Sequence, residues 1–168
     1  VYVDMVKKSY PNTPVVIGGI EASLRRFAHY DYWSDIIMPS ILVDTQADML
    51  LYGMSETQIK TLAHGLAKGW PIHKIKDIPG TCYMSRSLPK GNKYTLISSF
   101  EEVSTEKIKF AEAFQIQSRE QNPFIGSTLV QKHGDLYLVQ LPPAKPLSQA
   151  EMDDLYRLPF TRTYHPRY

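Results

Sequence analysis

Pro14-Val15-Val16-Ile17-Gly18-Gly19-Ile20-Glu21-Ala22-Ser23 is the stretch that decides the fold. Val15, Val16 and Ile17 are apolar in succession, so both faces of the segment want burial, as in an inner parallel strand. Gly18-Gly19 ends the run, and residues 20–30 then read as a helix or tight loop. The pattern returns downstream. Met49-Leu50-Leu51-Tyr52 is a second apolar run, closed by Gly53. Behind it Ile59, Leu62, Ala63, Leu66 and Ala67 recur at helical spacing. Ser55 and Gln58 stand in the positions of a capping box, and Gly69 stops the helix. A strand-like stretch at 81–84 follows the Pro79-Gly80 turn. Strand, glycine turn and helix in alternation predict an α/β layer with a mostly parallel sheet. The two glycine turns then share one carboxyl edge, where open α/β sheets bind ligands.

Working outward, Tyr2, Val3 and Val6 make a fragment of an amphipathic helix, broken between Pro11 and Pro14. Residues 33–40 read as irregular and 41–43 as a very short strand. Residues 86–93 form a polar loop with Pro89 and Gly91. Ser104 is the expected cap of a long helix at about 105–121, stopped by Asn122-Pro123. His133-Gly134-Asp135 between two apolar runs signals a hairpin. Pro142, Pro143 and Pro146 stiffen a connector. Ser148 and Glu151 form another capping box, and residues 158–168 read as irregular.

The chain has 168 residues, 43% hydrophobic and 21% charged, enough for a sizeable core and too apolar for wholesale disorder. No apolar run reaches the length of a membrane-spanning helix. The net charge of +2 argues against a dedicated nucleic-acid binder. Residues 51–100 nevertheless carry seven basic and two acidic side chains, spaced as a solvated face. The single cysteine, Cys82, excludes an internal disulfide and fits a reduced, cytoplasmic setting. It also excludes a zinc site of several thiolates or a cluster held by three. The chain opens at Val1 inside a helical pattern and stops just after Pro166, which predicts a piece of a longer protein.

Three constellations could carry chemistry. Gly18-Gly19 leading into Glu21 offers close backbone approach and free N–H groups to an anion, or simply a tight turn. Glu21, Arg25 and His29 share one face if 20–30 is helical, and with Arg26, Tyr30 and Asp31 they could bind a polar ligand or move a proton. Gly53-Met54-Ser55-Glu56 repeats the glycine turn with an acid in the first helical turn, which capping alone also explains. The histidines show no zinc-binding spacing, so no metal site is expected. Cys82 sits in an apolar strand as inert packing.

The block Pro14-Val-Val-Ile-Gly-Gly-Ile-Glu-Ala-Ser-Leu-Arg-Arg-Phe27, continuing through His29-Tyr-Asp-Tyr-Trp-Ser34, closely resembles the YgiQ family of uncharacterised radical SAM proteins. So do Ser40-Ile-Leu-Val-Asp44, Tyr52-Gly53-Met54, Val130-Gln-Lys-His-Gly-Asp135 and Thr161-Arg-Thr-Tyr-His-Pro166. The resemblance implies a partial Rossmann-like layer, similar to a cobalamin-binding domain, over residues 1–86. A family-specific α+β appendage with a long helix and a hairpin follows at 87–168. It implies a radical SAM barrel of the same parent chain as partner, with a [4Fe-4S] cluster and S-adenosylmethionine bound there by cysteines that this chain lacks. Gly53-Met54-Ser55-Glu56 departs from the Gly-Glu-Gly-Glu of cobalamin-associated relatives. The Asp-x-His-x-x-Gly signature is also absent, which counts against cobalamin.

The expected function is therefore cofactor or substrate positioning, with Gly18, Gly19, Glu21, Gly53, Ser55 and Glu56 toward a cofactor. Arg25, Arg26, His29, Tyr30 and Asp31 would face substrate. The chain would be catalytically silent alone. The alternative is a non-catalytic module binding a corrinoid, a nucleotide or RNA.

Overall fold

The computed structural model describes residues 1–90 and 93–168; Gly91 of the expected polar loop lies outside the described residues. The elements are α1 (Tyr2–Ser9), β1 (Val16–Ile17), α2 (Gly19–Leu24), β2 (His29–Asp31), β3 (Ile36–Met38), α3 (Ile41–Thr45), β4 (Met49–Leu51) and α4 (Glu56–Ala67). Then come β5 (Thr81–Ser85), β6 (Tyr94–Ile97), α5 (Phe100–Thr105), α6 (Lys107–Arg119), β7 (Thr128–His133), β8 (Leu136–Gln140) and α7 (Gln149–Tyr156). Six strands form one sheet in the order β1-β4-β5-β8-β7-β6, and β2 with β3 forms a separate antiparallel ribbon. The class is α/β, as expected. Residues on either side of 86/87 share this one sheet, because β5 pairs with β8.

Parallel pairing holds at the two ends of the sheet, with Val16 opposite Met49 and Tyr94 opposite Thr128. The three inner junctions are antiparallel. The cause at β4–β5 is the segment between α4 and β5. Instead of entering the sheet directly after the helix, the chain runs back along α4. It reaches the edge where β4 ended, and there the Tyr52 N–H donates to the Gly80 carbonyl at 2.9 Å. Ile75 and Ile78 on this return segment are buried with Met49, Leu51 and Leu62, so apolar burial holds the detour in place. At β7–β8 the tight turn of the expected hairpin imposes the antiparallel sense.

Alternation along the strands builds two cores. On one face Leu50, Cys82, Leu138, Leu129 and Ile97 pack against Phe27, Leu42, Val103 and Ala113. On the other, Met49 and Leu51 meet α4, and Val130, Val139 and Leu141 lie among Tyr83, Tyr94 and Tyr137. Asp48 fastens α1 to the sheet. Its carboxylate accepts Lys7 Nζ at 2.6 Å and the Val15 N–H at 2.7 Å.

Several local expectations are corrected. Residues 41–43 are helical, because the Ser40 side chain accepts the Leu42 N–H and starts α3. The long helix is two helices. Ser99, in a full capping box with Glu102, starts α5, while Ser104 lies inside it and bonds back to the Glu101 carbonyl. Extended backbone at Glu106 separates α5 from α6. Ser55 does not cap α4; its hydroxyl donates to the Gly53 carbonyl instead. Residues 33–40 contain β3, paired with β2. The Ser148–Glu151 box is formed as expected.

Candidate functional site at the carboxyl edge

Because β1 and β4 are parallel neighbours, Gly18-Gly19 and Gly53 end on the same edge of the sheet. Gly19 and Gly53 have φ of +88° and +71°, the left-handed region that glycine enters without penalty. Ser23 ties the two turns together. Its hydroxyl donates to the Gly19 carbonyl at 2.8 Å and accepts the Gly53 N–H at 3.3 Å. A groove of about 380 Å³ between β1 and α4 is lined by Gly18, Gly19, Ser55 and the apolar Val16, Leu51 and Ile59. Three of the residues expected to bind a cofactor are thus brought together. Glu21 is not among the groove's lining residues; it is exposed and pairs with Arg25. Glu56 stands in the first turn of α4, and its Oε2 is buried without a hydrogen-bond partner among the described residues.

The second group is divided by the end of α2 at Leu24. His29 lies in β2, not on a common helical face with Glu21 and Arg25, which corrects the expected arrangement. The Phe27-Ala28 pair is buried in the core and turns the chain out of the helix. His29 Nδ1 lies 3.1 Å from the Phe27 carbonyl, and burial holds its pKa below the ordinary histidine value. Arg25 is neutralised on both sides, by Glu21 at 3.2 Å and Asp31 at 3.1 Å. Hydrogen bonds from the Ser34 hydroxyl and N–H lower the Asp31 pKa. The Tyr30 hydroxyl donates to Asp35 at 2.7 Å, and that bond raises the phenol's pKa. Among the described residues no hydrogen bond joins His29 to Glu21, Arg25 or Asp31.

Arg26 is different. Its Nε donates to Gln140 Oε1 at 2.6 Å, and Nη1 donates to the Ser23 carbonyl. The guanidinium lies 5.0 Å from the centre of the Tyr52 ring, and the Tyr52 hydroxyl donates to the Leu141 carbonyl at 2.6 Å. The assembly sits over the ends of β4 and β8. Tyr52, Gln140 and Gln131 were absent from the residues expected at the site. The available signal was a glutamine inside each of two apolar strands, Leu129-Val130-Gln131 and Leu138-Val139-Gln140, because a buried amide must find partners.

The Radical SAM N-terminal family model matches residues 1–168. The chain belongs to this family. It is 52% identical over 168 residues to a UPF0313 protein of Clostridium botulinum (strain 657 / Type Ba4) and 50% identical over 169 residues to one of Clostridium perfringens (strain ATCC 13124). All of the chain is covered in both alignments, but only 26% of each relative, so the chain spans about a quarter of their length. No solved structure matches it. The resemblance to YgiQ-type proteins agrees with these relatives.

The Radical SAM N-terminal chain does not itself fit an iron–sulfur cluster. A [4Fe-4S] site needs three thiolates, and the one thiol, Cys82, is fully buried and pushed up to about 12 by burial. Among the described residues no group of three His, Cys, Asp or Glu side chains could hold a metal ion. No helix among them is long and apolar enough to cross a membrane.

Proposed function

We propose that this chain is the substrate- or cofactor-positioning region of a longer radical SAM enzyme, and that it performs no chemistry alone. Its place in the Radical SAM N-terminal family supports the class. The relatives' length, about four times the chain's, leaves room for a barrel that binds the [4Fe-4S] cluster and S-adenosylmethionine. The observation that carries the positioning role is the composition of the carboxyl edge. Ile20 and Leu24 on α2 and Met54 after β4 are 81%, 70% and 67% exposed beside the glycine turns and Arg26. Large apolar side chains gathered at a ligand-type edge mark a surface that another part of the protein covers.

The test is a photo-cross-linking residue introduced at Ile20 of the natural full-length protein, with a second at Lys145 as control. Cross-links from position 20 to residues outside this chain are expected. Their absence would overturn the positioning role. In parallel, anaerobic iron–sulfide reconstitution of residues 1–168 is expected to give no cluster absorbance, and a stoichiometric [4Fe-4S] signal would refute the claim of catalytic silence.

A further inference from the structure

We propose that Arg26 anchors the oxyanion, carboxylate or phosphate, of a small-molecule ligand at the carboxyl edge of β4 and β8. This rests on the positioning role above and names the chemistry that would be positioned.

The two neighbouring arginines make the argument. Arg25 holds two carboxylates, those of Glu21 and Asp31. Arg26 holds none: among the described residues every acceptor it has is neutral. Its guanidinium is nonetheless half-buried, beside the rings of Phe27 and Tyr52. Partial desolvation of a cation is unfavourable, and neutral amide oxygens orient the fork without cancelling its charge. A group of opposite charge is what the arrangement lacks.

The fork is also held in place. Gln140 is 2% exposed, so its side chain has little freedom, and Tyr52 is fixed through its hydroxyl to Leu141. Nε and Nη1 are engaged, whereas Nη2 has no acceptor among the described residues and is not sealed from water. The free Nη2 offers its N–H groups to the oxygens of a carboxylate or phosphate, and such charge-assisted hydrogen bonds are about twice as strong as neutral ones. A neutral ligand would leave the charge uncompensated, and a cation would be repelled. The location agrees, because Arg26 lies over the carboxyl ends of β4 and β8, the side of an α/β sheet on which ligands bind.

The test is arginine modification by phenylglyoxal in the natural full-length protein, read residue by residue by tandem mass spectrometry. The buffers contain chloride, acetate or inorganic phosphate at equal ionic strength. Oxyanion is expected to slow modification of Arg26 about fivefold or more relative to chloride, as a charge-assisted pair of hydrogen bonds implies. Arg25 should show no such difference. The acetate and phosphate arms tell which oxyanion fits better. Gln140→Leu, which releases the fork, should abolish the protection while leaving Arg26 reactive. Equal rates in all three buffers would overturn the proposal. So would an Arg26 that reacts in none of them, since a carboxylate from elsewhere in the longer protein would then already occupy it. Either result leaves the cross-link from position 20 intact, so this failure is distinguishable from failure of the positioning role.

Discussion

The Ala28 backbone N–H donates to the Gln131 side-chain oxygen at 2.8 Å, across 103 positions of sequence. The same amide donates through Nε2 to the Ser98 carbonyl at 2.9 Å, and Gln131 is only 1% exposed. One side chain of β7 therefore satisfies the turn after α2 and the turn before α5. Gln131→Leu keeps the volume and removes both bonds, leaving a buried N–H and a carbonyl unpaired. The expected loss is about 2–4 kcal/mol of unfolding free energy, measured by urea denaturation. A loss below about 0.5 kcal/mol would show that water replaces the amide.

His133 stacks on Phe100 with ring centres 5.5 Å apart and planes 11° from parallel. Neither of its ring nitrogens has a partner among the described residues. Burial lowers its pKa to about 4, against a smaller opposing effect of the Glu101 carboxylate. The folded state thus binds this proton less readily than the unfolded chain, whose histidine titrates near 6.5. Above that value the group adds no pH dependence; as pH falls from about 6.5 toward about 4, the unfolded state gains protons and stability is lost. His133→Phe should flatten the urea midpoint over this window and be neutral or stabilising at pH 7, because it removes two unpaired buried nitrogens. An unchanged pH profile in the variant would place the titration elsewhere.

Cys82 is wholly buried, and its thiol is pushed up to about 12. The thiolate that reacts with disulfide reagents is then scarce and shielded at pH 8. The native protein should leave this thiol unlabelled by Ellman's reagent over minutes, and full labelling should follow on addition of guanidinium. Fast labelling without denaturant would mean that the β4–β5–β8 junction opens readily.

Gly53 has φ +71° and open space where a Cβ would stand. Substitution there is penalised by backbone conformation alone. Gly53→Ala should cost about 1 kcal/mol, Gly53→Asn less and Gly53→Val more, since asparagine tolerates the left-handed region and β-branched residues do not. Thermal unfolding of the three variants checks the ranking. Equal losses for Asn and Val would point to a steric cause.

Much of the secondary structure is legible locally. The apolar runs at 15–17 and 49–52, the period of Leu62 and Leu66, and the Ser148–Glu151 box each state their element within a few residues. The splitting of the long helix at Glu106 was not read from the sequence: Ser104 was expected as its cap, whereas Ser99 pairs with Glu102 to start α5 and extended backbone at Glu106 precedes α6. β3 was missed because Ile36 to Met38 is short and pairs with a strand of polar and aromatic residues, so neither strand shows clean alternation. Within the candidate site, the glycine turns were visible in sequence, and the partners of Arg26 were not. A glutamine 114 positions away announces itself only as an amide in an apolar strand.

By itself, the sequence determined the α/β class, the glycine turns that end β1 and β4, the place of Cys82 in an apolar strand and the family to which the chain belongs. The class and the turns follow from local spacing and backbone freedom, and the family from the resemblance of whole sequence blocks; none of these needs knowledge of what packs where. Only the tertiary structure decided that the inner strands run antiparallel, and that Arg25 is neutralised while Arg26 is left with neutral partners. Those outcomes depend on contacts between distant segments: the return of residues 70–80 along α4, and the meeting of α2 with β8. Their energies come from burying particular faces together, and no short window of sequence contains both sides.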